Sequence, residues 1–360
     1  MSLPNVIITQ NNNDALKFTL NGSNVSVANA LRRTIISDIP VVVFDPDTIE
    51  IEKNSSRFNN EIVKHRLGCI PIHIDDMNAP IDKFKVEIKK NNDQDTILFV
   101  TTNDFKVFVN DKEVSEDSRK KIFPHDSYTH EYILFLRLRP RISNEMKGEE
   151  LNMSSKLMIS TAKENSMYNV VSTCAYGNTP DPVAIKNAWN IKKKELQAEG
   201  LSKTDIEYEQ KNWYILDSKR HFVEDSFDFT IETVGIYTNE KIVLIASAIL
   251  VKKLQKLIDI VGDISIKPSD TTIPYSFDIT LENEDYTIGK LIEYYLYEHY
   301  YNGNNGITFV GFLKTHPHYK FSIIRVALRE QGDSDEIRRY FVNACKFGIA
   351  ALESIGSHFS

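Results

Sequence analysis

The sequence predicts an α+β fold in which one plan occurs twice, and three observations predict it. A strand–turn–helix unit, followed by further strands and a long helix, can be read near the N-terminus and again after residue 272. The first copy is interrupted by a polar, strand-rich stretch covering residues 75–225, whereas the second is compact. The helix of the first copy, Val25–Pro40, is also too apolar to lie on a surface: Val27, Ala30, Leu31, Thr34, Ile35 and Ile39 recur at helical spacing, and only Asn29, Arg33 and Ser37 form a polar strip. Such a helix is expected to pack on more than one side, with Arg32 and Arg33 needing partners for their guanidinium groups.

In chain order, Val6–Thr9 and Leu16–Leu20 read as short strands around a turn at Asn11–Asp14. Ser23 or Ser26 can cap the Val25–Pro40 helix, and Pro40 stops it. Strands are expected at Val41–Phe44 and Thr48–Lys53, on either side of Asp45-Pro46-Asp47, which reads as a turn. Asn59–Ile74 predicts a short helix ending near Gly68, with Lys64, His65 and Arg66 suiting its C-terminal dipole, and then a strand. Within the interruption, Phe84–Lys89, Thr96–Thr101, Phe105–Val109, Tyr132–Leu138, Lys156–Ile159 and Ser172–Tyr176 read as strands. The charged stretch Ala184–Gln210 reads as one or two exposed helices broken at Gly200.

The first copy resumes at the half-buried strand Phe227–Ile231 and closes with a long helix, Asn239–Val261, ended by Gly262. Asp263–Thr272 reads as a linker. The second copy then runs through a strand at Tyr275–Leu281 and a helix at Thr287–Tyr301 with Ile288, Leu291, Ile292 and Tyr295 on one face. A loop at Asn302–Gly306 and strands at Ile307–Leu313 and Phe321–Leu328 follow. A final helix, Ser334–Ile355, turns Ile337 and Phe341 inward. The domains expected are therefore 1–74 with 226–262, an insert at 75–225, a linker at 263–272, and 273–360.

Bulk properties narrow the function. The 360 residues are 41% hydrophobic and 26% charged with a formal net charge of −7, which argues against a protein gripping nucleic acid through its own basic surface. Three well-separated cysteines, Cys69, Cys174 and Cys345, indicate neither a disulfide framework nor a zinc cluster and suit a reducing compartment. No secretory signal or membrane span is expected. No P-loop, Rossmann fingerprint, H-E-x-x-H or G-x-S-x-G motif occurs, so no catalytic site is expected in this chain.

The motifs carry a resemblance. Asn29-Ala30-Leu31-Arg32-Arg33 followed by Pro40, and Glu61 with His65-Arg66-Leu67-Gly68-Cys69-Ile70-Pro71, resemble the alpha-like assembly subunits of multisubunit DNA-dependent RNA polymerases. Ser172-Thr173-Cys174-Ala175-Tyr176 sits where that family has a similar strand. In the second copy, Glu284-Asp285-Tyr286-Thr287-Ile288-Gly289-Lys290-Leu291, Phe309-Val310-Gly311-Phe312 and His316-Pro317 are similar to motifs of the smaller partner, with Tyr286 and Lys290 in place of the usual His and Asn.

The resemblance implies two alpha-like dimerisation modules fused in one chain, as in large nucleocytoplasmic DNA viruses. They would pair intramolecularly through a four-helix seam that includes Val27, Leu31, Ile35, Ile288, Leu291, Ile292, Tyr295 and Phe341. It implies a surface for the second-largest and largest polymerase subunits at Asn29, Arg32, Arg33, Glu61, His65 and Arg66, with small polymerase subunits alongside. One copy per complex, little nucleic-acid contact and no membrane contact are expected. The location implied is intracellular: for a viral protein, the virion and a cytoplasmic virus factory or the host nucleus. The cysteine cluster of some family members is missing, so no metal or iron–sulfur cluster is expected here, and Mg2+ would belong to the large subunits. The competing readings are a stand-alone scaffold that borrowed the fold and a metal-dependent enzyme around Asp45, Asp47 and His316.

Overall fold

The computed structural model describes residues 3–12, 15–143, 147–302 and 306–359; the turn at Asn11–Asp14 and the loop at Asn302–Gly306 lie partly outside these. Eight helices are present among the described residues: α1 (Val25–Ser37), α2 (Asn60–Gly68), α3 (Glu116–Ile122), α4 (Pro182–Ala198), α5 (Lys203–Ile215), α6 (Asn239–Asp259), α7 (Tyr286–Leu296) and α8 (Ser334–Ser357). With its several sheets the chain is a mixed α+β protein. It divides into two compact units, Met1–Thr34 with Thr173–Glu232 and Asn239–Ser360, and Ile35–Ser172 with Thr233–Thr238.

The first unit holds two four-stranded sheets. In one, the strand order is Asn5–Asn11, Leu16–Asn21, Phe222–Thr233, Val171–Pro180. In the other it is Ile266–Pro268, Ser276–Glu282, Phe321–Leu328, Ile307–Leu313. Phe18 stacks on Phe229 across the first sheet at 4.9 Å and meets Phe359 edge-on at 5.2 Å, so the residues after α8 close over that sheet. Asp278 and Arg325 stand directly opposite on neighbouring strands of the second sheet and form a two-pronged ion pair, 2.7 and 2.8 Å.

Helices α6, α7 and α8 pack together because α8 presents small residues at helical spacing. A Cβ at Gly348 would stand 3.0 Å from Leu254 of α6 and 3.4 Å from Tyr295 of α7, so glycine there admits both neighbours. Helix α7 starts on Asp285, whose carboxylate accepts the Thr287 backbone N–H at 2.8 Å. Its first turn lies on Phe312 so closely that a Cβ at Gly289 would overlap the ring at 1.9 Å.

The second unit is built on the strand Glu150–Thr161, which pairs with Pro40–Phe44, Glu50–Asn54 and Phe84–Asn91. Lys106–Val109 and Lys112–Glu113 extend this sheet, and Leu98–Thr101 with Leu134–Leu138 form a separate two-stranded ribbon. Phe44, Phe105, Phe123 and Phe135 form one aromatic cluster in its core, with Val63 and Leu67 of α2 buried in the same core.

Several local expectations change. Asn24, not Ser23 or Ser26, caps α1, its side-chain oxygen accepting the Ser26 N–H at 2.8 Å. No strand follows α2: residues 70–74 bury Ile70 and Ile72 in irregular extended backbone. Pro71 has no N–H to give a ladder. The stretch 263–272, read as a linker, contributes the edge strand Ile266–Pro268, paired with Phe277–Ile279. By contacts, the two compact units divide at 34/35, 172/173, 232/233 and 238/239. The charged stretch forms α4 and α5 as expected, broken by Gly200 at φ +82°, but it is not solvated throughout. Trp189, Leu196, Ile206 and Trp213 form a core of their own between the two helices.

Candidate functional site: two arginine motifs

The first motif lies on α1. Val27, Ala28, Ala30, Leu31, Thr34 and Ile35 are buried, which leaves Asn29, Arg32 and Arg33 as a half-buried polar edge. Arg32 donates from Nε and Nη2 to the Asn29 side-chain oxygen one turn earlier, at 3.2 and 2.9 Å. Arg33 turns the other way: its Nε donates to Thr287 Oγ1 at 2.8 Å and its Nη2 to Asp285 Oδ2 at 3.2 Å. One Asp285 oxygen thus caps α7 while the other holds Arg33, so the first motif and the Glu284–Leu291 motif share a joint.

Behind α1 lies the Ser172–Tyr176 strand. The Cys174 thiol donates to the Arg32 carbonyl at 3.9 Å. Burial pushes that thiol up to about 12, against a smaller opposing effect of Arg32, so it stays protonated at neutral pH. Burial does the same to Cys345 of α8.

The expected seam residues Val27, Leu31, Ile35, Ile288, Leu291, Ile292, Tyr295 and Phe341 are all buried. Val27 of α1, Tyr295 of α7 and Phe347 of α8 line one cavity of about 110 Å3 in the first unit. Ile35 is the exception in placement, since it belongs to the second unit.

The second motif lies on α2. Asn59 caps the helix through the Ile62 N–H, Val63 and Leu67 are buried, and Glu61 and His65 stand exposed one turn apart. Arg66 does not extend into solvent. Its Nε donates to the Phe135 carbonyl at 2.9 Å and its Nη2 to the Leu134 carbonyl at 3.1 Å, with the guanidinium 5.6 Å above the Phe58 ring. Arg33 lies in the first unit and Glu61, His65 and Arg66 in the second, so the six residues form a group of three on each unit.

The turn residues have local roles. Asp45 caps the short turn Pro46–Thr48 by accepting the Asp47 N–H, and His316 Nδ1 accepts the His318 N–H at 3.1 Å. Among the described residues no three His, Cys, Asp or Glu side chains gather as a cation site. No helix among them is long and apolar enough to cross a membrane. The Arg33–Asp285–Thr287 joint is the contact that sequence reading missed. The two ends lie 252 positions apart, and the one local signal was the polar position of Arg33 on an otherwise apolar helix.

These motifs define an alpha-like polymerase module, and comparison with known proteins agrees. A family model described as the RNA polymerase Rpb3/Rpb11 dimerisation domain matches residues 17–254. Subunit Rpo3 of the DNA-directed RNA polymerase of Pyrococcus furiosus is 26% identical over 274 residues, covering 70% of this chain and 95% of that protein. Subunit 3 of DNA-directed RNA polymerases II, IV and V of Arabidopsis thaliana is 29% identical over 195 residues, 49% of this chain and 58% of that protein. Subunit RPAC1 of the human DNA-directed RNA polymerases I and III is 22% identical over 294 residues, 68% of this chain and 81% of that protein.

The chain belongs to the RNA polymerase Rpb3/Rpb11 dimerisation-domain family. Its homologues are subunits of DNA-directed RNA polymerases.

Proposed function

We propose that this chain is a non-catalytic assembly subunit of a DNA-directed RNA polymerase in which the larger and smaller alpha-like partners are one polypeptide. The first module is 1–74 with 226–262, interrupted by the 75–225 insert, and the second is 273–360. The observation that carries this reading is the joint of Arg33 with Asp285 and Thr287, which ties the motif of one partner to that of the other within one chain. Further support is that α1, α6, α7 and α8 fall mainly in one compact unit, with α6 and α8 in contact at Gly348. A short connection replaces a bimolecular encounter, so such modules pair at high effective concentration.

On this reading α1, α6, α7 and α8 are the pairing seam, and the second-largest and largest polymerase subunits dock on the outer edges of α1 and α2. Arg32 is the arginine offered to them, since among the described residues its guanidinium bonds only back to Asn29, and Glu61 and His65 face outward from α2. Arg33 and Arg66 act from inside, holding the surface in shape. Small polymerase subunits complete the complex. Mg2+ chemistry belongs to the large subunits and nucleic-acid contact lies elsewhere. The working compartment is reducing and intracellular, and the fused arrangement fits a large DNA virus.

The test is recovery of a tagged chain at its native level. Its complex should contain both large polymerase subunits, one copy of this chain and no separate smaller alpha-like subunit by native mass spectrometry. Arg32→Glu should reduce recovery of the large subunits without lowering the thermal midpoint of the purified chain. Absence of both large subunits from the wild-type complex rejects the reading. A separate smaller alpha-like chain in it rejects the fusion.

A further inference from the structure

The second unit carries a groove beside the second motif, with Arg66 of that motif on its wall. It has a volume of about 570 Å3 and is lined by Arg57, Phe58, Arg66, Ile97, Arg137 and Arg139, together with residues 134–136. Four arginines line it, and none of its described lining residues is acidic. Its floor is apolar and open to solvent: Phe58 is 39% exposed and Ile97 52%. Beside it, Phe99 stands opposite Arg137 on the two-stranded ribbon, with the guanidinium 5.3 Å above the ring.

The four arginines are not equally committed. Arg139 is paired with the buried carboxylate of Glu149, and Arg66 is spent on the Phe135 and Leu134 carbonyls. Arg57 has no hydrogen-bond or ion-pair partner among the described residues, and the Arg137 guanidinium meets only the Phe99 ring. The groove therefore holds two guanidinium groups with uncommitted donors over exposed apolar side chains.

We propose that this groove binds an acidic polypeptide segment, whose carboxylates meet Arg57 and Arg137 and whose apolar side chain lies over Phe58 and Ile97. Charge complementarity selects the acidic partner. A guanidinium fork matches a carboxylate in two-pronged geometry, and an arginine already stacked on an aromatic ring loses little freedom in adding that bond. Strand addition is not the mode of binding, because Arg66 already occupies the carbonyls at the ribbon's edge. A polypeptide fits better than nucleic acid. A polyphosphate backbone needs an extended basic track, but exposed Asp95 stands two residues from Ile97 and the whole chain carries a net charge of −7. The proposal rests on the groove alone and holds whether or not the chain assembles into a polymerase.

The experiment uses the purified full-length chain and three fluorescein-labelled probes followed by anisotropy. One is a short peptide in which glutamates alternate with phenylalanine and leucine. The others are its lysine counterpart and an oligothymidylate of equal length. The acidic peptide should bind saturably, weaken with added salt, and lose about tenfold in affinity when Arg57 and Arg137 are both changed to Glu. Both side chains are exposed, and the one contact the double variant removes is that of Arg137 with the exposed Phe99 ring, so circular dichroism should match the wild type and the melting temperature should stay close to it. Ile97→Asp supplies an independent variant that should weaken the same peptide through its apolar contact. Equal binding of the lysine peptide, no saturable binding up to about 1 mM, or indifference to the charge reversal would each overturn the proposal. Tighter binding of the oligothymidylate would overturn it in favour of a nucleic-acid groove.

Discussion

Arg33 of α1 and Arg66 of α2 each spend the guanidinium fork on partners within the chain, but on different chemistry. Arg33 meets a carboxylate and a hydroxyl from a segment 252 positions away, with the Arg33 and Asp285 side chains 41% and 35% exposed. Arg66 meets two neutral backbone carbonyls on a ribbon that has two strands among the described residues. The first is a charge–charge contact that water and salt can weaken. The second satisfies two backbone acceptors and has no anionic partner to screen. One family motif thus joins α1 to the start of α7 through screened electrostatics, and the other is held within the second unit through hydrogen bonding.

That difference should be small beside the burial of the two helices. Leu31 of α1 and Leu67 of α2 are both buried. Either Leu→Ala change should cost roughly 2–5 kcal/mol in urea denaturation, the usual range for a buried leucine with its residual cavity. Costs of similar size would place the contrast in the arginines and not in the cores beneath them. The next largest effect is Arg66→Ala, expected at roughly 1–3 kcal/mol and towards the lower end, since the groove lets water reach the freed carbonyls. Arg66→Lys should recover only part of this, because an ammonium cannot span two carbonyls as a planar fork does. The cost should be nearly the same in low and high salt.

The Arg325–Asp278 pair sharpens the comparison through pH. The hydrogen bonds from Arg325 are the main reason the Asp278 carboxyl is held below its usual value, with Ser269 assisting and partial burial opposing. A carboxyl whose folded pKa lies below its unfolded one, ~3.9 for aspartate, stabilises fully above the unfolded value and loses that contribution as pH falls through the folded value. The cost of Arg325→Ala should therefore be constant from neutral pH down to about 4 and shrink below that. The cost of Arg66→Ala should show no such step, because its acceptors do not titrate. A matching step for Arg66 would remove the distinction.

The sequence made α1 and α7 legible because burial imposes a period that survives whatever the partner is. Val27, Leu31 and Ile35, and likewise Ile288, Leu291 and Ile292, announce a buried face without revealing what covers it. Arg33 could be seen to need a partner, but spacing along a chain carries no information about a contact across 252 positions. Composition misled in the charged stretch, where lysines and glutamates outnumber the four residues that close α4 on α5, although two of those four are the only tryptophans in the chain. It also misled at 263–272, where Pro268 suggested a loop. Proline is acceptable on an edge strand, since its missing N–H removes no ladder bond there.

The smallest expected effect tests the joint that carries the functional reading. Asp285 has two roles, capping α7 and holding Arg33, so Asp285→Ala would confuse them. Asp285→Asn keeps a good capping side chain and removes the charge. A double-mutant cycle of Arg33→Ala with Asp285→Asn should therefore give a coupling of about 0.2–1 kcal/mol, the range of half-exposed ion pairs, falling as salt is raised. Thr287→Ala should retain that coupling while removing the second, neutral hydrogen bond. A coupling above about 2 kcal/mol that ignored salt would mean that Arg33 is a desolvated clamp. The two motifs would then hold their units by the same means. A coupling in the expected range leaves a joint that is weak alone, so pairing of the modules would rest on the buried faces of α6, α7 and α8, with Arg33 selecting their register.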